Sequence, residues 1–285
     1  MKHRIVTAAQ MKEIEQAGDA HGLPYLQMME NAGLAAYAEL QKQFLHPGRL
    51  LVVCGKGNNG GDGFVIARAA AKDDWNVTVL LAEGEPKTSD AIRNFERLHS
   101  LPVHICTDGS VLETQSFAAV VDALYGTGFH GELRPSGLAT CGLIRHLHKG
   151  GAFVLAVDLP SGINTDTGEV ADGAAHADLT VTFDSYKPLH IAKISAPLCG
   201  KIVCADIGIR CFNGRWSSCT ISGIRGTAAA NACDSSETTH VPSVQARISR
   251  SGYLRRRDVS FYQSFVIHRP GAIGSFFRKW HRTAS

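Results

Sequence analysis

Leu50-Leu51-Val52-Val53-Cys54-Gly55-Lys56-Gly57-Asn58-Asn59-Gly60-Gly61-Asp62-Gly63-Phe64 is the stretch that decides the fold. Its first five residues are an uninterrupted apolar run, the pattern of a strand buried on both faces of a sheet. Five of the next nine residues are glycines, which let a chain turn tightly and approach a ligand closely. A helix is expected from residue 64 to 72, and the free N–H groups at a helix start favour a phosphate. Gly55, Gly57 and Gly60 fit GxGxxG, a weak pattern alone, and a plain tight turn would account for it. A plain turn does not require Asn58, Asn59 and Asp62, whose amide and carboxylate oxygens suit ribose hydroxyls or a cation.

Working outward, strands are expected at 77–82, 103–106, 118–124, 153–157, 179–183 and 201–205. Helices are expected at 89–99 and 135–149, with a short one between the strands at 103–106 and 118–124. Upstream, Thr7 caps a helix ending near residue 18, and residues 26–40 form a second. Strand and helix alternating in this way imply an α/β fold, a mostly parallel sheet with helices on both faces. Ligands of such sheets bind beyond the carboxyl ends of the strands.

Two further loops follow apolar strands and carry oxygen donors. One is Asp122-Ala123-Leu124-Tyr125-Gly126-Thr127-Gly128-Phe129-His130-Gly131-Glu132; the other is Val157-Asp158-Leu159-Pro160-Ser161-Gly162. Each acid taken singly fits a helix cap or a turn equally well. Together the three loops are expected to converge on one crevice for a nucleotide-like ligand. Asn59, Asp122 and Ser161 offer only hard oxygen donors, which suits an alkali or alkaline-earth cation better than zinc.

The chain has 285 residues, 44% of them hydrophobic, enough for a substantial core. A net charge of +3 is too mild to argue for nucleic acid or an anionic membrane as partner. The eight cysteines form no CxxC pair and several lie in apolar runs, so reduced thiols and a cytoplasmic location are expected. The N-terminus lacks the apolar segment of a signal peptide, and no apolar run approaches the roughly 18 residues of a membrane span. Two regions are expected, a domain over residues 1–210 and an irregular basic tail over 211–285. For the tail three readings stand open: a disordered segment, a nucleic-acid or membrane-surface arm around Arg255-Arg256-Arg257, and a stretch translated out of frame.

Together the three loops and Met29-Glu30-Asn31-Ala32-Gly33 resemble the YjeF N-terminal domain family, whose best understood members are NAD(P)H-hydrate epimerases. The motifs occur in the family's order and the resemblance covers about residues 4–209. It implies a three-layer Rossmann-like sandwich and often a homodimer. It implies an isomerase of metabolite repair, interconverting the R and S epimers of hydrated NADH or NADPH at C6 of the reduced ring. A separate dehydratase would be its functional partner; neither a membrane nor a nucleic acid is implied.

Carried over by motif, Asn58, Asn59, Gly60, Gly61, Asp62, Gly126, Thr127, Gly128, Phe129, His130, Gly131, Glu132 and Asp158 would contact the substrate. Asn59, Asp122 and Ser161 would hold a potassium ion. Asp158 is the first choice for acid–base work, and Lys187 in Tyr186-Lys187-Pro188 is either its assistant or a surface lysine after a strand. The family more often has glycine where this chain has Leu189, which leaves the local loop shape open. Residues 211–285 are too few for the dehydratase domain that follows in bifunctional members, so dehydratase activity is not expected, and a fragment of a bifunctional enzyme with a frameshifted end fits.

Two rivals are set aside on the same residues. A dinucleotide dehydrogenase would use Glu83 to hold a ribose but leaves Asn58-Asn59 and the Asp158 loop unexplained. A binding scaffold of the same fold would not need three complete loops.

Overall fold

A computed structural model describes residues 4–209. The tail expected over 211–285 lies outside the described residues. Helix α1 (Ala8–Ala20) begins in a capping box: Thr7 Oγ1 accepts from the Gln10 amide at 3.2 Å, and Gln10 Oε1 accepts from the Thr7 amide at 2.9 Å. Helix α2 (Tyr25–Gln41) buries Met28, Ala32, Ala36 and Leu40, one residue per turn along a single stripe.

Strand β1 (Arg49–Cys54) leads into helix α3 (Asn58–Lys72), and β2 (Asn76–Leu81) into α4 (Ser89–Glu96). Then come β3 (Val103–Cys106), a single 3-10 turn at Ser110–Leu112 and β4 (Ala119–Ala123). Helix α5 (Pro135–Lys149), β5 (Phe153–Val157), β6 (Leu179–Phe183) and β7 (Lys201–Ala205) complete the series. Helix α4 stops three residues short of the expected end, because residues 97–99 close in turns.

The seven strands make one sheet in the order β3-β2-β1-β4-β5-β6-β7, and every neighbouring pair is parallel. Side chains of β1 alternate as a strand requires. Leu50, Val52 and Cys54 join a core with α2, α3 and α4, whereas Leu51 and Val53 join a second core with Cys141, Ile144 and Leu147 of α5. The result is the three-layer α/β sandwich with a Rossmann-like sheet. Strand order reverses between β1 and β4, and a crevice opens at such a switch point.

One boundary differs in a telling way. Helix α3 begins at Asn58, six residues earlier than expected, so most of the glycine run is helix and not loop. Glycine costs about 1 kcal/mol in a helix, which is why propensity assigns these residues to a turn. Close packing decides otherwise. A Cβ on Gly60 would stand 1.9 Å from the Gly55 carbonyl oxygen, one on Gly61 2.5 Å from Met29 Sδ, and one on Gly63 2.8 Å from Ala123 Cβ. The first turns of α3 pass too near β1, α2 and β4 for any side chain.

Candidate active site

A cavity of about 530 Å³ lies beyond the carboxyl ends of the sheet, walled by α1, α2 and the loops after β1, β2, β4, β5 and β6. Asn58, Asn59 and Asp62 line it from the start of α3, whose N-cap residue Gly57 supplies no side-chain cap. The first N–H groups of a helix have no intrahelical partner, so this end is suited to an anion. Gly126, Thr127, Gly128, Phe129, His130 and Glu132 line it from the loop after β4. Asp158 and Lys187 line it from the loops after β5 and β6. Gly60, Gly61 and Gly131, expected as ligand contacts, do not line the cavity: the first two are occupied in packing, and Gly131 serves a turn at φ +73°.

The most constrained group is Asp158. It follows β5 directly and adopts φ +66°, a left-handed conformation that Asp tolerates better than most side chains. Its Oδ1 accepts from Lys187 Nζ at 2.5 Å and from Thr182 Oγ1 at 2.7 Å. Lys187 Nζ also donates to Thr182 Oγ1 at 2.7 Å and to the Phe183 carbonyl at 3.3 Å. Lys187 is 1% exposed, so the reading of it as a surface lysine is overturned. Burial alone would push the Asp158 carboxyl up, but the Lys187 ammonium, with help from His190 and Thr182, outweighs it and holds the group below its ordinary value.

His190 fixes the frame from behind. Its Nδ1 accepts from the Lys187 amide at 3.0 Å, so Nε2 carries the hydrogen and donates to the Asp158 carbonyl at 3.0 Å. Burial lowers its pKa to about 4 against the pull of Asp158, so the ring is neutral near pH 7. Of the other carboxyls that line the cavity, Glu15 and Asp62 are shifted most. Burial, reinforced by Asp158, raises Glu15 to about 7, and burial with Asp158 and Glu15 raises Asp62 well above its ordinary value.

At the far rim Tyr125 and Phe129 stack with ring centroids 5.4 Å apart. Tyr125 donates its hydroxyl to Glu83 Oε1 at 2.9 Å, and Lys56 Nζ lies 3.7 Å from Glu83 Oε2. Glu83 is therefore engaged by protein groups and is not the lone ribose-holding acid that a dehydrogenase reading needs.

Residues 25–189 match the family described as YjeF-related protein N-terminus. The chain belongs to the YjeF N-terminal family. Among relatives, it is 34% identical to an NAD(P)H-hydrate epimerase of Limosilactobacillus fermentum over 72% of this chain and 98% of that one. It is 37% identical to an NAD(P)H-hydrate epimerase of Cenarchaeum symbiosum over 64% of this chain and 85% of that one. A bifunctional NAD(P)H-hydrate repair enzyme Nnr of Moorella thermoacetica is 36% identical over 72% of this chain, but only 40% of its own length is covered. The chain thus spans about two fifths of the bifunctional relatives it matches. A crystal structure of yeast ynu0 superposes with a TM-score of 0.56 at 25% identity, covering 67% of this chain and 86% of that one.

In this YjeF N-terminal chain the loop around residue 189, whose shape the family resemblance left open, is built around Leu189. The side chain is fully buried with Leu159, Ile163, Ala174 and Cys199 in a small core beneath the loops after β5 and β6. Behind the cavity, Ser161 Oγ donates to Asp122 Oδ1 at 2.6 Å, and the Ser161 amide donates to Oδ2 at 2.8 Å. The Tyr125 amide in turn donates to Ser161 Oγ at 3.0 Å. Burial raises the Asp122 carboxyl although these bonds from Ser161 pull it down. Asn59 comes against the same segment, since a Cβ on Gly126 would meet its Oδ1 at 3.2 Å. Its Nδ2 is buried without a hydrogen-bond partner.

Three participants carried no sequence signal. Thr182 reads as one more strand residue, His190 as a lone histidine after a strand, and Glu15 as one polar position on an amphipathic helix.

Proposed function

We propose that this chain epimerises hydrated NADH or NADPH at C6 of the reduced nicotinamide ring. The observation that carries the proposal is Asp158, an ionised carboxylate held at the floor of the cavity by a buried lysine. C6 carries its hydroxyl beside the ring nitrogen, whose lone pair expels the oxygen and leaves a C6=N1 iminium. Water then returns to either face, which erases and re-forms the stereocentre. A fixed carboxylate stabilises the iminium charge as it develops and accepts the proton of the incoming water. Lys187 keeps Asp158 in the ionised form, and His190 holds its backbone in place. The epimerase names of relatives matched over nearly their whole length support the same reading.

The donor set of Asn59, Asp122 and Ser161 fits a potassium ion. Asn59 Oδ1 faces Gly126 and Ser161 Oγ bonds both Asp122 and the Tyr125 amide, so all three present hard oxygens around the Tyr125–Gly126 segment. The ion would supply positive charge beside the substrate loop. Cys54, Cys106, Cys141 and Cys199 are free thiols, which supports a reducing, cytoplasmic setting, and among the described residues no helix is long and apolar enough to cross a membrane. The product would pass to an S-specific dehydratase, and a homodimer is the assembly the family resemblance supports.

The test is a coupled assay. The purified chain receives R-form hydrated NADH, an excess of S-specific dehydratase and its nucleotide, and NADH absorbance is followed. Recovery accelerates, and Asp158→Asn abolishes the acceleration. No acceleration from folded, dispersed protein rejects the activity.

A further inference from the structure

Epimerisation by loss and return of water needs a proton delivered to the departing hydroxyl as well as one removed from the incoming water. Asp158 suits the second task only, because Lys187 holds it ionised. Several carboxyls besides Asp158 line the same cavity, and Glu15 of α1 is the one carried on a helix whose lead-in segment is tied to the loop of Lys187. Among the described residues it has no ion pair or hydrogen bond to hold it ionised, unlike Asp158 and Glu83. We propose that Glu15 is the general acid that protonates the C6 hydroxyl, working with Asp158 as the general base; this rests on the epimerase reading given above.

Glu15 is carried on a rigid, anchored element. The segment before α1 is stitched to the loop that bears Lys187. Ile5 bridges Tyr186 in parallel, the Val6 amide donates to the Tyr186 carbonyl at 2.9 Å, and the Tyr186 amide donates to the Arg4 carbonyl at 2.9 Å. Arg4 Nη2 pairs with Asp184 Oδ2 at 2.8 Å, and the Ala8 amide donates to Asp166 Oδ1 at 2.8 Å. Helix α1 is thereby fixed relative to the loops of Asp158 and Lys187, as a catalytic group requires.

The charged surroundings of Glu15 favour its protonated form. Besides burial, Asp158 after β5 and Asp184 after β6 raise it, while Lys187 after β6 and Lys12 on its own helix lower it. Asp62 of α3 and Tyr25 of α2 also face it. The net result is a value of about 7, whereas Asp158 is driven the other way. Two carboxyls whose environments push them apart are the usual form of an acid–base pair.

The step balances. The Glu15 proton goes to the C6 oxygen, the C6–O bond breaks with its electron pair on oxygen, and water departs. The N1 lone pair forms the C6=N1 bond. Water adds to the other face, N1 recovers its pair, and the released proton goes to Asp158. Solvent returns that proton to Glu15, so the pair carries one proton in both directions.

The experiment measures R-to-S epimerisation across pH for wild type, Glu15→Gln and Glu15→Asp in the full chain, with folding checked by circular dichroism. Wild-type kcat is expected to fall above about pH 7, as Glu15 loses its proton. Glu15→Gln is expected to lose about 100-fold in kcat with KM little changed, and to lose that alkaline limb. Glu15→Asp is expected to retain the limb at a reduced rate. An active wild type whose kcat stays level through neutral pH overturns the inference whatever the variants do. So does a Glu15→Gln protein with wild-type kcat and an unchanged limb. A folded but inactive wild type would instead remove the epimerase reading, and this role with it.

Discussion

Lys187 Nζ and Asp158 Oδ1 stand 2.5 Å apart as an ion pair between the loops after β5 and β6, with the lysine almost wholly out of solvent. Removing one member of a buried pair leaves the other charge uncompensated, at a cost of about 3–5 kcal/mol. Lys187→Gln is therefore expected to lower the urea unfolding free energy by that order. It also removes what holds the Asp158 carboxyl down, so the acid limb of kcat/KM moves toward neutral pH. An unchanged limb in the variant would show that Lys187 does not set the charge of Asp158.

His190 links stability to pH. Its folded pKa of about 4 lies below the ordinary 6.5, so the unfolded chain binds a proton that the folded chain refuses. Its contribution is complete above about pH 6.5 and is lost as pH falls toward 4, up to about 3 kcal/mol. Glu15, raised to about 7, acts in the opposite sense, because its folded form binds the extra proton. The measurement is thus the difference between wild type and His190→Gln in urea unfolding at several pH values. The wild type should lose its advantage as pH falls from 6.5 to 4; a constant difference contradicts a buried neutral imidazole.

Two glycines of one motif should differ sharply in their tolerance of alanine. A Cβ on Gly60 meets the Gly55 carbonyl at 1.9 Å, a backbone atom that cannot swing aside. Gly57, at φ −99°, has nothing within 4 Å of its Cβ position. Gly60→Ala is expected to cost about 3 kcal/mol or more, and Gly57→Ala less than about 1 kcal/mol. Denaturant midpoints of the two variants decide it, and equal losses would mean that close packing is not what requires Gly60.

A potassium ion held by Asn59, Asp122 and Ser161 should stabilise the folded chain. At about a hundredfold excess over its Kd the gain is about 2.7 kcal/mol. Thermal midpoints are expected to rise in potassium chloride over N-methylglucamine chloride at equal ionic strength, and the rise should vanish in Asn59→Ala. Identical midpoints in the two salts would reject the site.

The layers and the strand positions, to within a residue at each end, were legible in local pattern. Apolar runs such as Leu50 to Cys54 reveal strands because burial on both sheet faces leaves no room for polar residues, and helices α2 and α5 reveal themselves by periodicity. The sequence by itself also brought Asn58, Asn59, Asp62, the loop from Gly126 and Asp158 to one end of the sheet, since parallel strands all deliver their loops to the same side. The start of α3 at Asn58 was not legible, because it depends on how near Gly55, α2 and β4 approach Gly60, Gly61 and Gly63. Only the tertiary structure buried Lys187 against Asp158, seated Leu189 in its own small core and set Glu15 in the cavity. Lys187 and Asp158 stand 29 positions apart and Glu15 is remote from both, and charge states depend on burial and on neighbours across such gaps, which local pattern does not encode.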